Sequence, residues 1–198
     1  MVTTKTTLSS KEHARIHAVV ADIERRTSAS FMLAVVPVSD RYLLYPVVWG
    51  AIIGLAATGV VALVNPALGI GAGFLIDGAI FVALTLVLDW LPLRLRIVPR
   101  RIKHHHARQF AYREFAAHIA AAKERNSVLF FVSLGERYVE ILADREIHAR
   151  VGEGTWNKLV ADFIAAVKAG RLVDGFVTAV ESCGALLETH YPRVTDNP

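Results

Sequence analysis

The chain has 198 residues, 54% of them apolar, with a mean hydropathy of +0.40 and a single cysteine, Cys183. One cysteine excludes an internal disulfide framework, and the apolar excess is more than a water-soluble domain of this length requires. Net charge is +4, yet Arg94 to Arg113 holds seven basic residues and no acid, so the remainder is slightly acidic. No nucleic-acid-binding motif accompanies this patch, and no nucleic-acid partner is expected.

In chain order, Met1 to Arg15 is polar and lacks the apolar core of a signal peptide. Ser9 and Glu12 have capping-box spacing, and Ile16, Val19, Val20 and Ile23 mark one face of a first helix. His13 and His17 stand four apart on it, a solvated pair with no evident third metal ligand. Phe31–Val38 is a continuous apolar run, as in a strand buried on both faces, with Pro37 at its end.

Two long apolar segments follow, Leu43–Val64 and Ala67–Leu91, divided at Asn65-Pro66 and holding only Asp77 and Asp89 as charges. About 20 apolar residues in a helix cross a bilayer's hydrocarbon core, so residues 43–93 read as a transmembrane helical hairpin. Arg25, Arg26 and Arg41 before it and Arg94, Arg96, Arg100, Arg101 and Lys103 after it place both termini in the cytoplasm, at an inner membrane. Residues 94–103 are then a basic juxtamembrane linker that touches anionic lipid headgroups. Pro92 and Pro99 bracket it, and it is expected to be extended.

Asp77 falls near the bilayer centre, where an acid needs a partner. Opposite it lies Gly54, in a small-residue stripe of Gly50, Gly54 and Thr58. Two readings stay open: Asp77 bonds Thr58 inside the hairpin, or it meets a polar or basic group on a partner's helix, whether another membrane protein or a second copy.

A helix from about His105 to Glu124 comes next, with Ala107, Ala111, Phe115, Ile119 and Ala122 along one side. The adjacent His104, His105 and His106 cannot all face one ion on a regular helix. Val128–Leu134 is a second strand, Gly135-Glu136 a two-residue turn with glycine first, and Arg137–Ala143 a third strand with one partly polar face. Asp144 caps a short helix, Trp156 to Val167 forms an amphipathic one ending near Gly170, and Asp174 caps the last, whose apolar face holds Cys183. Two strands joined through a helix should be parallel, and the third antiparallel. The fold class is therefore α/β: a small mixed sheet sandwiched by helices, with the hairpin spliced in. Residues 8–42 and 104–191 form one split cytoplasmic domain.

Several stretches resemble the TPM domain family. They are Ile23-Glu24-Arg25-Arg26-Thr27-Ser28-Ala29, Ser39-Asp40-Arg41-Tyr42, the run Arg94 to Arg101, and above all Val128 to Asp144; Trp156, Gly170, Gly175 and Leu186 to Pro192 complete the likeness. It runs from Leu8 to Pro192 and is nearest to bacterial members with a two-helix membrane insertion. The resemblance implies an α/β/α sandwich. It implies an accessory factor that binds or stabilises membrane protein complexes, or a metal-dependent acid phosphatase of low activity using calcium, magnesium or manganese. Ser30 stands where many members have Glu or Gln, which weakens a metal site there.

Two acidic groups are candidates. Asp40, Ser133 and Glu136 gather at the carboxyl ends of the parallel strands, the edge open α/β sheets use for ligands, and could face a headgroup or phosphate. Ordinary turn chemistry is their plainer role, with Asp40 starting a turn and Glu136 at a hairpin tip. At the opposite edge Asp144, with Glu140 and Glu146, is the first choice for a hard cation; helix capping is the plainer role of Asp144.

Overall fold

The computed structural model describes residues 2–4, 9–65, 69–121 and 126–193. They fall into two compact units, Met1–Ser39 with His105–Pro198, and Asp40–His104.

In the first unit, a helix α1 (Ser10–Arg26) starts at the expected capping box. The Ser9 amide donates to Glu12 at 2.8 Å, and the Glu12 amide donates to the Ser9 hydroxyl. Four strands, β1 (Val2–Thr4), β2 (Ser30–Val36), β3 (Ser127–Ser133) and β4 (Tyr138–Ala143), lie in that order in one sheet. β1 and β3 pair parallel with β2, and β4 pairs antiparallel with β3. The edge strand β1 was not expected from its polar surroundings; Val-Thr-Thr is β-branched throughout and suits a pleated edge.

β2 and β3 are buried almost end to end because helices cover both faces. On one side Phe31, Leu33, Val35, Val128, Phe130 and Val132 meet α1 together with α6 (Arg145–Val151), α7 (Glu153–Lys168) and α8 (Leu172–His190). On the other, Met32, Ala34, Val36, Leu129 and Phe131 meet Ala107 and Ala111 of α5 (Arg100–Ala121). The two alanines let α5 lie close to the sheet. This is an α/β/α sandwich with a small mixed sheet.

Three local expectations are corrected. The segment between Pro92 and Pro99 is not extended: Leu91–Ile97 is a helix, α4. Both prolines sit at helix starts, where the missing N–H costs nothing. Val98, held extended by the following proline, and Pro99 itself separate this helix from α5. The β3–β4 connection is four residues, Leu134–Arg137, and the left-handed residue is Arg137 (φ 52°), with no positive φ at Gly135. The parallel ladder explains the shift: the amides of Leu134 and Gly135 still donate to Val36 and Pro37, so the chain turns later. Asp174 does not cap α8; Arg171 holds that place, and Asp174 pairs with Arg15 of α1 at 3.0 Å. Asp144 does cap α6, accepting from the Arg145 amide at 2.6 Å. Asn65 ends the first apolar helix as its C-cap; Pro66, the other residue of the expected break, and the expected helix end at Ala122 to Glu124 lie outside the described residues.

Thr27 and Ser28 bind the tail to the first helix. The Thr27 hydroxyl donates to the Tyr191 carbonyl at 2.7 Å, and Thr27 bridges to Pro192. Cys183 lies within the larger core, where burial pushes its thiol up to about 12. A thiol raised from 9.0 leaves stability whole below the unfolded value and loses it as pH climbs toward about 12. Cys183 is therefore expected to ignore Ellman's reagent near pH ~8 until the chain is denatured. Unfolding free energies from urea titration should fall more steeply above pH ~9 than those of Cys183→Ala, by up to about 1.4 kcal/mol per pH unit. Equal slopes would refute this.

In the second unit, α2 (Leu44–Val64) and α3 (Ile70–Leu88) have 21 and 19 residues. At 1.5 Å per residue each is about 30 Å long, the thickness of a bilayer's apolar core. Their flanks carry exposed Leu55, Val60, Leu63, Phe74 and Leu75.

Candidate functional site

The carboxyl ends of β2 and β3 bring Ser39, Ser133 and Glu136 together, and Glu136 is 3% exposed. Its carboxylate accepts from the Ser39 amide at 2.9 Å, the Ser39 hydroxyl at 2.7 Å and the buried Ser133 hydroxyl. A buried carboxylate persists only when its lone pairs are satisfied this way. Glu136 thus pins the β3–β4 turn to the end of β2, and its charge faces inward. The Asp40 carboxylate accepts from the Arg41 amide at 2.6 Å and is exposed. Turn chemistry accounts for both acids.

At the opposite edge the expected cation ligands have separate tasks. Asp144 caps α6, and Glu146 is exposed in the first turn of that helix. Glu140 accepts from the Tyr138 hydroxyl at 2.8 Å and lies 3.6 Å from Arg108. Burial and this bond raise the Tyr138 phenol well above its ordinary value. Among the described residues no three His, Cys, Asp or Glu side chains gather as a metal site. The described residues at this edge therefore do not fit a resident divalent cation. Ser30 faces His118, hydroxyl to Nε2 at 3.0 Å, and burial lowers that imidazole below its usual value.

In the hairpin, Thr58 donates to Asp77 at 3.2 Å, and Asp77 lies against Gly54 as the spacing predicts. A Cβ on Gly54 would stand 3.1 Å from the Asp77 carboxylate, and one on Gly50 would stand 2.8 Å from the Thr85 hydroxyl. The small residues thus let the helices touch, and the polar pair locks them. Beyond Asp77 the helices part around a cavity of about 320 Å³, lined by Leu55, Thr58, Val61, Gly73 and Phe74.

The basic segment divides by role. Arg94 is buried and donates to the Arg41 carbonyl and the Asp89 carbonyl, both at 2.7 Å, and to the Asp89 carboxylate. Lys103 donates to the Leu95 carbonyl at 2.8 Å. These two are occupied inside the unit. Arg96, Arg100 and Arg101 are exposed.

Two features lay beyond reach of the sequence pattern: the Arg94 clamp, which joins positions far apart in the chain, and Arg137, whose backbone conformation depends on where the ladder ends. The nearest signal was Ile164 and Val167, which widen the apolar stripe of α7 past what one core face uses.

Fold and geometry define an α/β/α domain with a mixed sheet, interrupted by an apolar helical hairpin. A profile of the TPM domain matches residues 93–186, a little under half of the chain. The chain is also similar to the BA42 protein of the psychrophilic bacterium Bizionia argentinensis, solved by NMR. The TM-score is 0.58 at 15% identity over 99% of this chain and 92% of that one. At that identity the likeness is one of fold. No curated protein matches in sequence.

Proposed function

We propose that this chain is a membrane-anchored accessory module, a TPM domain held on the cytoplasmic face of an inner membrane and acting by binding or stabilising membrane protein complexes. The observation that carries the reading is the hairpin: two helices of bilayer length, exposed and apolar along their outer flanks, closed on each other by Asp77, Thr58, Gly54 and Gly50. Lipid suits such flanks, and the inward polar pair suits a helix that cannot leave an acid facing hydrocarbon. The exposed Arg96, Arg100 and Arg101 supply the anionic-lipid contact at the cytoplasmic surface. Docking of a partner's helix, or of a second copy, falls to the outer flanks and to the cavity beside Asp77. Binding is preferred to phosphatase chemistry because Asp144, Glu140 and Glu146 are engaged in capping, hydrogen bonding and solvent exposure.

The chain is expected to stay with membranes through alkaline carbonate washing. A membrane-impermeant thiol reagent on intact cells should label Gly69→Cys, beside the hairpin turn, and spare Lys158→Cys. Extraction by carbonate, or the reverse labelling, would overturn the reading. Mild-detergent pull-down should then recover integral membrane proteins in fixed ratio, and recovery of none would remove the accessory role.

A further inference from the structure

The first unit holds a second concavity that none of the roles above uses. It lies at the carboxyl end of β3, between the β3–β4 turn and α7, and has a volume of about 510 Å³. That falls within the range of small-molecule sites. Its floor is apolar: Val132, Val139, Phe163, Ile164 and Val167. Ile164 and Val167 are each 37% exposed, two of the four large apolar residues the described part of this unit leaves so open. Two cations, Arg137 and Lys168, also line it.

Neither cation has a hydrogen-bond or ion-pair partner among the described residues. Lys168 stands in the last turn of α7, where a cation also complements the helix carbonyls, so Arg137 bears more of the weight. Its φ of 52° is left-handed, a conformation that disfavours a residue with a Cβ. A glycine would hold that turn without strain, and such outliers concentrate where a side chain is needed in place. The neighbouring acid, Glu136, is drawn inward to Ser39 and Ser133, so the turn withdraws its negative charge and presents its positive one.

The geometry points to a binding site for an anionic amphiphile: a single acyl chain laid on Val139, Phe163, Ile164 and Val167, with its carboxylate or phosphate monoester head between Arg137 and Lys168. Charge complementarity selects the head, and the open apolar floor selects the chain. The site is at the sheet edge that α/β folds favour for ligands. It does not depend on the hairpin spanning a membrane.

The test uses the full chain in phosphatidylcholine nanodiscs, with empty discs as reference, titrated calorimetrically with dodecanoate and with dodecyl phosphate. Dodecyltrimethylammonium supplies the chain with the wrong head; acetate and inorganic phosphate supply the heads alone. A saturable one-to-one component is expected for the anionic amphiphiles, and the tighter of the two assigns the head. The other three should bind at least about tenfold more weakly, and Arg137→Gly with Lys168→Gln should cost about tenfold in affinity. Glycine accepts the φ at position 137, so this variant keeps the fold, and an unchanged melting curve checks it. The proposal is overturned by any of three results: no saturable component above empty discs, undiminished binding by the double variant, or equal binding of the bare anions. Concentration-dependent dimers abolished by Ile164→Glu, without amphiphile binding, would assign the face to a second copy and overturn it too.

Discussion

Phe130→Ala is expected to destabilise the first unit by about 3–5 kcal/mol, the usual range for emptying a buried aromatic position. Phe130 is fully buried at the middle of β3, edge-on to Phe163 of α7 at 5.3 Å and to Phe176 of α8 at 6.4 Å. Phe163 and Phe176 are themselves 4.9 Å apart. The three rings join one strand to two helices, so removing the central one takes away packing on three elements and about 0.5–1.5 kcal/mol of aromatic geometry per pair. Against a total of about 5–15 kcal/mol for a domain, that is roughly a fifth of the stability or more. Thermal and urea denaturation followed by circular dichroism measure this directly. A loss under about 1 kcal/mol would mean the helices do not rest on this strand.

The second large effect concerns Glu136. Glu136→Ala strands the Ser39 amide and the two serine hydroxyls, of which the Ser133 hydroxyl is buried. Each unmet buried donor costs about 1–3 kcal/mol, and partial rehydration near the turn brings the expected loss to about 3 kcal/mol. Glu136→Gln separates the geometric role from the charge. Its amide oxygen still accepts from Ser39, and its nitrogen donates to a rotated Ser133 hydroxyl. The glutamine variant should therefore recover most of the stability, and hydrogen exchange at the Leu134 and Gly135 amides should speed up in the alanine variant alone. If both variants were equally destabilised, the charge rather than the hydrogen-bond geometry would hold the turn.

How much of this was readable beforehand follows from the range of the interactions involved. β2, β3 and the hairpin announce themselves, because each is a continuous apolar run whose burial or exposure needs no distant partner. Asp77 opposite Gly54 could be counted out because an antiparallel pair of regular helices has a fixed rise. The prolines misled, since Pro92 and Pro99 suit a helix start as well as an extended segment, and only tertiary context chooses. Asp174 misled in the same way: Arg15 of α1 competes for the carboxylate, and that contact spans most of the chain. Composition marks Glu136 as a charge near a turn, but the inward pull of two serines is a three-dimensional fact, and the outward face belongs to Arg137.

The Arg94 clamp bears on how an insertion of this size can sit inside a folded sheet. Register partners such as Phe31 and Val128 are separated by the whole hairpin. Left loose, so long a connection would raise the entropy of closing that pairing, by about 0.6 kcal/mol for each doubling of loop length. Arg94 bonds the Arg41 and Asp89 carbonyls together, so the two feet of the hairpin are tied. From the viewpoint of the sheet, the insertion then acts as a short loop whatever its length. Hairpins of other lengths, or none, could occupy that place during divergence with little change in the pairing of β2 and β3.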